Sequence, residues 1–207
     1  MEQLQWLTRS LQGLAFWIGY RQSIFAGYHL PEAALCAELF NLAQGNKPDT
    51  LLLRPEMMYK KIMQQPQMPA GIGALDRADL VLFEKTDRSL GPYEESQRQT
   101  RYVFEIKRAK AGWTAIEKDL VRLHSYLDVA NPSIRCFCIV TSENKTYHRL
   151  IRNGAARRGN LVISKNCSGH FAVRRVIKAG ASFRGHNTAH YVCLLEVFLE
   201  NQEHKAL

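Results

Sequence analysis

Several signatures are missing from this chain of 207 residues. No stretch has the length and apolar content of a secretory leader or a membrane span. The N-terminal helical pattern is broken by Gln, Arg and Ser, so the expectation is a soluble, cytoplasmic protein with no membrane partner. Cysteine is sparse and irregular. The five residues, Cys36, Cys136, Cys138, Cys167 and Cys193, are odd in number and lack zinc spacing. Buried free thiols in a reducing compartment account for them. No internal repeat, low-complexity tract or linker divides the chain, so a single domain over 1–207 is expected. Acid is also scarce. Nineteen Asp and Glu face 28 Lys and Arg, a formal charge of +9. That balance attracts polyanions, although it serves solubility equally well.

The patterning that is present reads as mixed α/β. Leu4, Leu7, Leu11, Leu14 and Ile18 recur at steps of three and four, predicting a helix over Gln3–Tyr20. A second helix is predicted over Leu30–Gln44, with Pro31 at its first position and Gly45 as its stop. Its stripe is Leu35, Leu39 and Leu42, and Glu38 leans toward that side. Leu51–Met58, Ala78–Phe83 and Tyr102–Lys107 read as strands, with an exposed polar loop over Glu84–Arg101. Trp113–Leu127 reads as a helix with Ile116, Leu120, Leu123 and Leu127 inward, and with Glu117, Lys118, Asp119 and Arg122 mostly outside the stripe. Ile134–Thr141 is a continuous apolar run, the pattern of a strand covered on both faces. Leu161–Ser164 and Phe171–Ile177 are further strands, and Tyr191–Leu199 fits a strand or a helix.

Chemistry concentrates in Tyr102-Val-Phe-Glu-Ile-Lys107. Alternation on a strand sends Val103, Glu105 and Lys107 to one face and Phe104 and Ile106 to the other. If the strand opening with Asp79 lies alongside, a second carboxylate enters the same patch, since paired strands are about 4.8 Å apart. Asp76 competes with Asp79 but precedes the apolar run. Two converging carboxylates suit Mg²⁺, or Mn²⁺ in its place, which takes few protein ligands and leaves room for substrate phosphate. Lys107 would orient the attacking water, or take its proton if burial lowers the lysine pKa.

Asp79 at the head of one strand, Glu105-Ile-Lys107 in the next, a preceding helix bearing Glu38, and the helix-then-strand over Trp113–Thr141 together resemble the PD-(D/E)XK nuclease superfamily. Ala78 stands where the name-giving proline would be. The resemblance spans about 30–141 and implies a restriction-endonuclease-like α/β fold. In that fold a mixed central sheet is flanked by helices; here a β-rich extension over about 143–207 would follow. It further implies Asp79 and Glu105 as metal ligands, Lys107 as the catalytic lysine and Glu38 as an added carboxylate. The implied activity is Mg²⁺-dependent hydrolysis of nucleic-acid phosphodiester bonds, DNA ahead of RNA.

Basic residues cluster after the motif strand (Arg108, Lys110), over Arg149–Arg158, and from Arg174 and Arg175 to Arg184. Arg108, Lys110, Arg174 and Arg175 are the expected phosphate contacts. No helix–turn–helix or zinc finger accompanies them. His186 and His190 are four apart, but Gly185 argues for a loop there. Two rivals remain: a nuclease-fold module that binds nucleic acid or protein without turnover, and an unrelated α/β protein that meets a partner through its basic surface. A homodimer is compatible with each.

Overall fold

The computed structural model describes residues 4–25, 28, 30–63, 67–85, 99–179 and 189–199. Within them the chain forms α1 (Gln5–Ile24), α2 (Glu32–Asn46), β1 (Leu51–Met58), α3 (Tyr59–Ile62), β2 (Arg77–Glu84), β3 (Thr100–Arg108), α4 (Trp113–Val129), β4 (Arg135–Ser142), β5 (Ile151–Arg152), β6 (Ala155–Ala156), β7 (Leu161–Ser164), β8 (Cys167–Lys178) and β9 (Tyr191–Phe198). Seven strands make one mixed sheet in the order β1-β2-β3-β4-β9-β8-β7. Only β3 and β4 are parallel; α4 is the crossover between them. Parallel neighbours need such a crossover.

Alternating side chains divide the core between the two faces. Val103, Cys136, Cys138, Val140, Cys193 and Leu195 pack with α4. Phe104, Ile106, Phe137, Ile139, Val192 and Leu194 pack with α1 and α2. Phe104 and Phe137 stack at a centroid distance of 5.3 Å. Burial of one such side chain contributes about 1.5–3 kcal/mol. Cys136 and Cys138 share the α4 face and all five cysteines are free.

Both ends of α2 moved for local reasons, and one open assignment is decided by pairing. Pro31 is the N-cap of α2, with extended backbone (ψ 150°), rather than its first helical residue. The helix runs through Gly45 to Asn46, whose amide side chain donates to the Leu42 carbonyl and holds the last turn. Tyr191–Phe198 is a strand, inserted between β4 and β8. The segment after about residue 143 is therefore no appendage: β9, β8 and β7 complete the central sheet. A short hairpin, β5–β6, is a further addition. Its turn, Asn153-Gly154, has φ of 51° and 75°, the left-handed pair that such two-residue turns demand. The expected loop over Glu84–Arg101 lies mostly outside the described residues, as do His186 and Arg184. No helix among the described residues is long and apolar enough to cross a membrane.

Candidate active site

Pairing between β2 and β3 runs from Phe83 to Leu80, with Leu80 opposite Phe104. One step further the register sets Asp79 opposite Glu105. There the carboxylate takes the place of a ladder acceptor: Asp79 Oδ2 accepts the Ile106 N–H at 2.6 Å. Asp79 is thereby held at the end of β3 between Glu105 and Lys107. Its other oxygen, Oδ1, accepts no hydrogen bond among the described residues. On the far side of β2, Pro55 pairs with Leu80 and Met57 with Ala78, leaving Glu56 beside Asp79. Glu56 has φ 52°, a strained conformation for a side chain of this type.

Glu105 is buried. Its Oε1 accepts from Tyr59 Oη at 2.7 Å and from Arg122 Nη1 at 3.0 Å. Oε2 accepts nothing among the described residues. Arg122 also lies 3.2 Å from Asp119 Oδ1 and 3.3 Å from Asp76 Oδ2. Lys107 Nζ donates to Glu32 Oε1 at 2.7 Å and sits 3.2 Å from Asp119 Oδ2. Six carboxylates (Glu32, Glu56, Asp76, Asp79, Glu105, Asp119) thus surround two cations, Lys107 and Arg122. In a chain of net charge +9, this is a local reversal of sign.

Titration behaviour follows from that crowding. Burial pushes the Asp79 carboxyl up to about 6; the Ile106 N–H and Lys107 oppose the shift, while Glu32 and Glu56 add to it. Burial pushes Glu105 up to about 8, with Asp79 and Asp119 raising it further against Arg122 and Tyr59. Burial alone would lower Lys107, but its hydrogen bond to Glu32 and the charge of Asp119 leave it raised overall. Lys107 is therefore a fixed ammonium. The expectation that it could act as a proton acceptor does not hold.

The structure brings Asp79, Glu105 and Lys107 together. It does not bring Glu38. At about 100° per residue, Glu38 lies about 160° around α2 from Cys36. It forms no hydrogen bond or ion pair among the described residues. The carboxylate that α2 sends to the site is Glu32, one turn before Cys36, whose thiol is pushed up by burial and by Asp79, Glu32 and Glu56. Asp76 is the N–H acceptor for Gly73 (2.8 Å) and a partner of Arg122, a structural role that leaves Asp79 as the strand carboxylate. Asp119 and Arg122, expected outside the stripe of α4, face inward, with side chains 5% and 12% exposed. A buried charge costs several kcal/mol unless paired; Arg122 and Asp119 pair with each other and with Glu105 and Lys107. Their i,i+3 spacing was the one local signal for this. Tyr59 had none.

Two expected phosphate contacts are also corrected. Arg108 pairs with Glu143 (2.9 Å) and Arg174 with Glu196, and both are largely buried. Their charge is spent inside the protein. Lys110 and Arg175 are exposed. Outside the site, His190 Nδ1 accepts the Asn144 N–H at 2.9 Å, which gives that ring a structural role.

No protein-family model, curated protein or solved structure matches this chain. Among the described residues no three His, Cys, Asp or Glu side chains form a preformed metal cage. The donor set still suits a hard divalent cation. Asp79 and Glu105 each commit one oxygen to the protein and keep one uncommitted, and Mg²⁺ typically takes one or two carboxylates plus substrate phosphate and water.

Proposed function

We propose that the protein is a restriction-endonuclease-like, Mg²⁺-dependent nuclease that hydrolyses phosphodiester bonds, with DNA preferred to RNA. The observation that carries this reading is the Asp79–Ile106 hydrogen bond. It places one carboxylate beside a second, Glu105, and beside an ammonium, Lys107, where β2 and β3 part. Asp79 and Glu105 would hold the ion through Oδ1 and Oε2. When bound, the ion polarises the scissile phosphate and favours ionisation of water. Lys107 orients the attacking water and offsets charge on the phosphate as it is attacked. Glu32 and Asp119 hold the ammonium in place. Arg122 and Tyr59 fix the plane of the Glu105 carboxylate.

A second reading, a nuclease-fold module that binds without cutting, is favoured by the Arg122–Glu105 ion pair. That pair already neutralises one of the two candidate ligands. The two readings separate when the pure protein is incubated with labelled single-stranded DNA, duplex DNA and RNA, each with Mg²⁺, Mn²⁺ or EDTA. Cleavage in either metal and none in EDTA is expected. Tight binding without cleavage under every metal supports the module instead.

A further inference from the structure

Helices α1 and α2 cover the sheet face opposite α4. They pack closely on each other. A Cβ on Gly13 would lie 2.8 Å from Leu42 Cδ2, and Ser10 Oγ donates to the Leu42 carbonyl at 3.3 Å. The first half of α1 thus meets the second half of α2, while residues 25–31 join the other ends, so the helices run antiparallel. At equal rises of about 1.5 Å per residue, Ala37 comes level with Ile18. On the outer side of α1, Phe16, Tyr20 and Ile24 follow at steps of four and are 67%, 53% and 51% exposed. They form a ridge of large apolar side chains. Beside it on α2 the exposed residues are Ala33, Ala37 and Asn41, a shelf of small ones. Five of the seven exposed large apolar side chains among the described residues lie between 16 and 28, which makes this a patch and not the ordinary scatter.

Charge is missing from the same surface. In a chain of which 23% of residues are charged, every exposed residue of α1 from Gln12 to Ile24 and of α2 from Ala33 to Gln44 is uncharged. The half-buried charges beside them, Arg21 and Glu38, are opposite in sign. The Arg21 guanidinium lies 4.4 Å from the centroid of the Phe25 ring. Aromatic side chains with charge depleted mark the centre of a protein interface. The missing charge also selects the occupant. An anionic membrane, an acidic protein or nucleic acid is held by exposed Lys and Arg, which this face lacks. The net charge of +9 opposes self-association, and a neutral face is where it does so least. A two-fold axis along the helices lays the ridge of each copy over the shelf of the other and satisfies both at once. With large side chains at about 150–250 Å² each, the exposed ridge and shelf come to about 600 Å² on each copy. The pair then buries about 1,200 Å², the lower end of the range for stable interfaces.

We infer that two copies of the chain associate through this face, with Tyr20 of each seated between Ala33 and Ala37 of the other. The inference stands independently of the nuclease reading. The test is the mass of the full chain in solution, by sedimentation equilibrium over a concentration series to about 100 μM, above the micromolar Kd of weak interfaces. Wild type should reach twice the 23.7 kDa of one chain. Tyr20→Glu and Ala37→Glu should each weaken association about 100-fold or more, because a two-fold interface buries each unpaired charge twice. Leu75→Glu, at an apolar side chain 84% exposed outside this face, is the control and should associate as wild type does. Thermal unfolding checks that each variant is folded, with Tyr20→Gln in place of Tyr20→Glu should that one fail. A wild type that stays at 23.7 kDa throughout would overturn the inference and leave the face to a different partner. A dimer that Tyr20→Glu and Ala37→Glu leave as tight as wild type would overturn it as well. Equal weakening by Leu75→Glu would put the contact elsewhere and also count against it.

Discussion

The Asp79 carboxylate accepts the Ile106 N–H at 2.6 Å, at the point where β2 and β3 cease to pair. One side chain therefore closes the sheet and offers a free oxygen to the site. Substitutions separate these roles. Asp79→Asn keeps a carbonyl oxygen for Ile106 and should fold nearly as well as wild type, with metal-dependent cleavage lost. Asp79→Ala leaves a buried N–H unmet and should also cost about 1–3 kcal/mol. Urea unfolding of both variants beside wild type measures the difference.

Lys107→Ala should slow cleavage on the order of 10²–10³-fold, the range for removing one preorganised group that offsets charge in the transition state. It should also destabilise the fold, by about 1–3 kcal/mol, because one buried oxygen of Asp119 then loses its partner while Arg122 still meets the other. Lys107→Ala with Asp119→Asn should recover part of the stability and none of the activity. Added Mn²⁺ should not rescue either. Single-turnover rates and thermal midpoints on the same samples test both halves.

The pH dependence has a definite sign. Asp79 and Glu105 titrate higher in the folded protein, at about 6 and about 8, than their ordinary values of 3.8 and 4.5. Between those limits the folded state binds more protons than the unfolded one, so their contribution to stability falls as pH rises from about 4 to about 8. His124 and His190, lowered by burial, act oppositely and lose stability as pH falls through 6.5. A divalent ion competes with protons at the carboxylates alone. The midpoint difference between Mg²⁺ and EDTA should be near zero at acid pH and grow through pH 6–8. A difference independent of pH would exclude binding through these two groups.

Gly169 lies against the His124 ring and 2.8 Å, from the position of an added Cβ, to Ile163 Cδ1. Gly169→Ala should destabilise by about 1–3 kcal/mol through overpacking of β8 against α4. His124→Ala in the same chain should recover part of it, since residues in contact couple. Denaturant midpoints of the four proteins in the cycle give the coupling directly.

The alternation in Tyr102–Lys107 was enough to set Val103, Glu105 and Lys107 on one face, because a strand's period is local. The face of α2 was harder. Glu32 and Glu38 both flank an apolar stripe, and which one reaches β3 depends on how the helix is rotated over the sheet, a property of packing with Leu35, Leu39 and Ala43. Tyr59 and Arg122 reach Glu105 from 46 and 17 residues away, contacts that no window of sequence displays. For the same reason the insertion of β9 beside β4 was invisible: strand order is a long-range pairing, while each strand's own pattern is local. Arg108 and Arg174 were misread because a basic residue on a strand looks alike whether it faces phosphate or a buried glutamate.

The most direct test of the account is single-turnover cleavage of one end-labelled DNA by wild type and Asp79→Asn over a titration of Mn²⁺, with a chelated control. The account predicts product that rises with metal in wild type and is absent in the chelated sample and in Asp79→Asn at every concentration. Equal cleavage by Asp79→Asn, or cleavage that persists in the chelator, would contradict it.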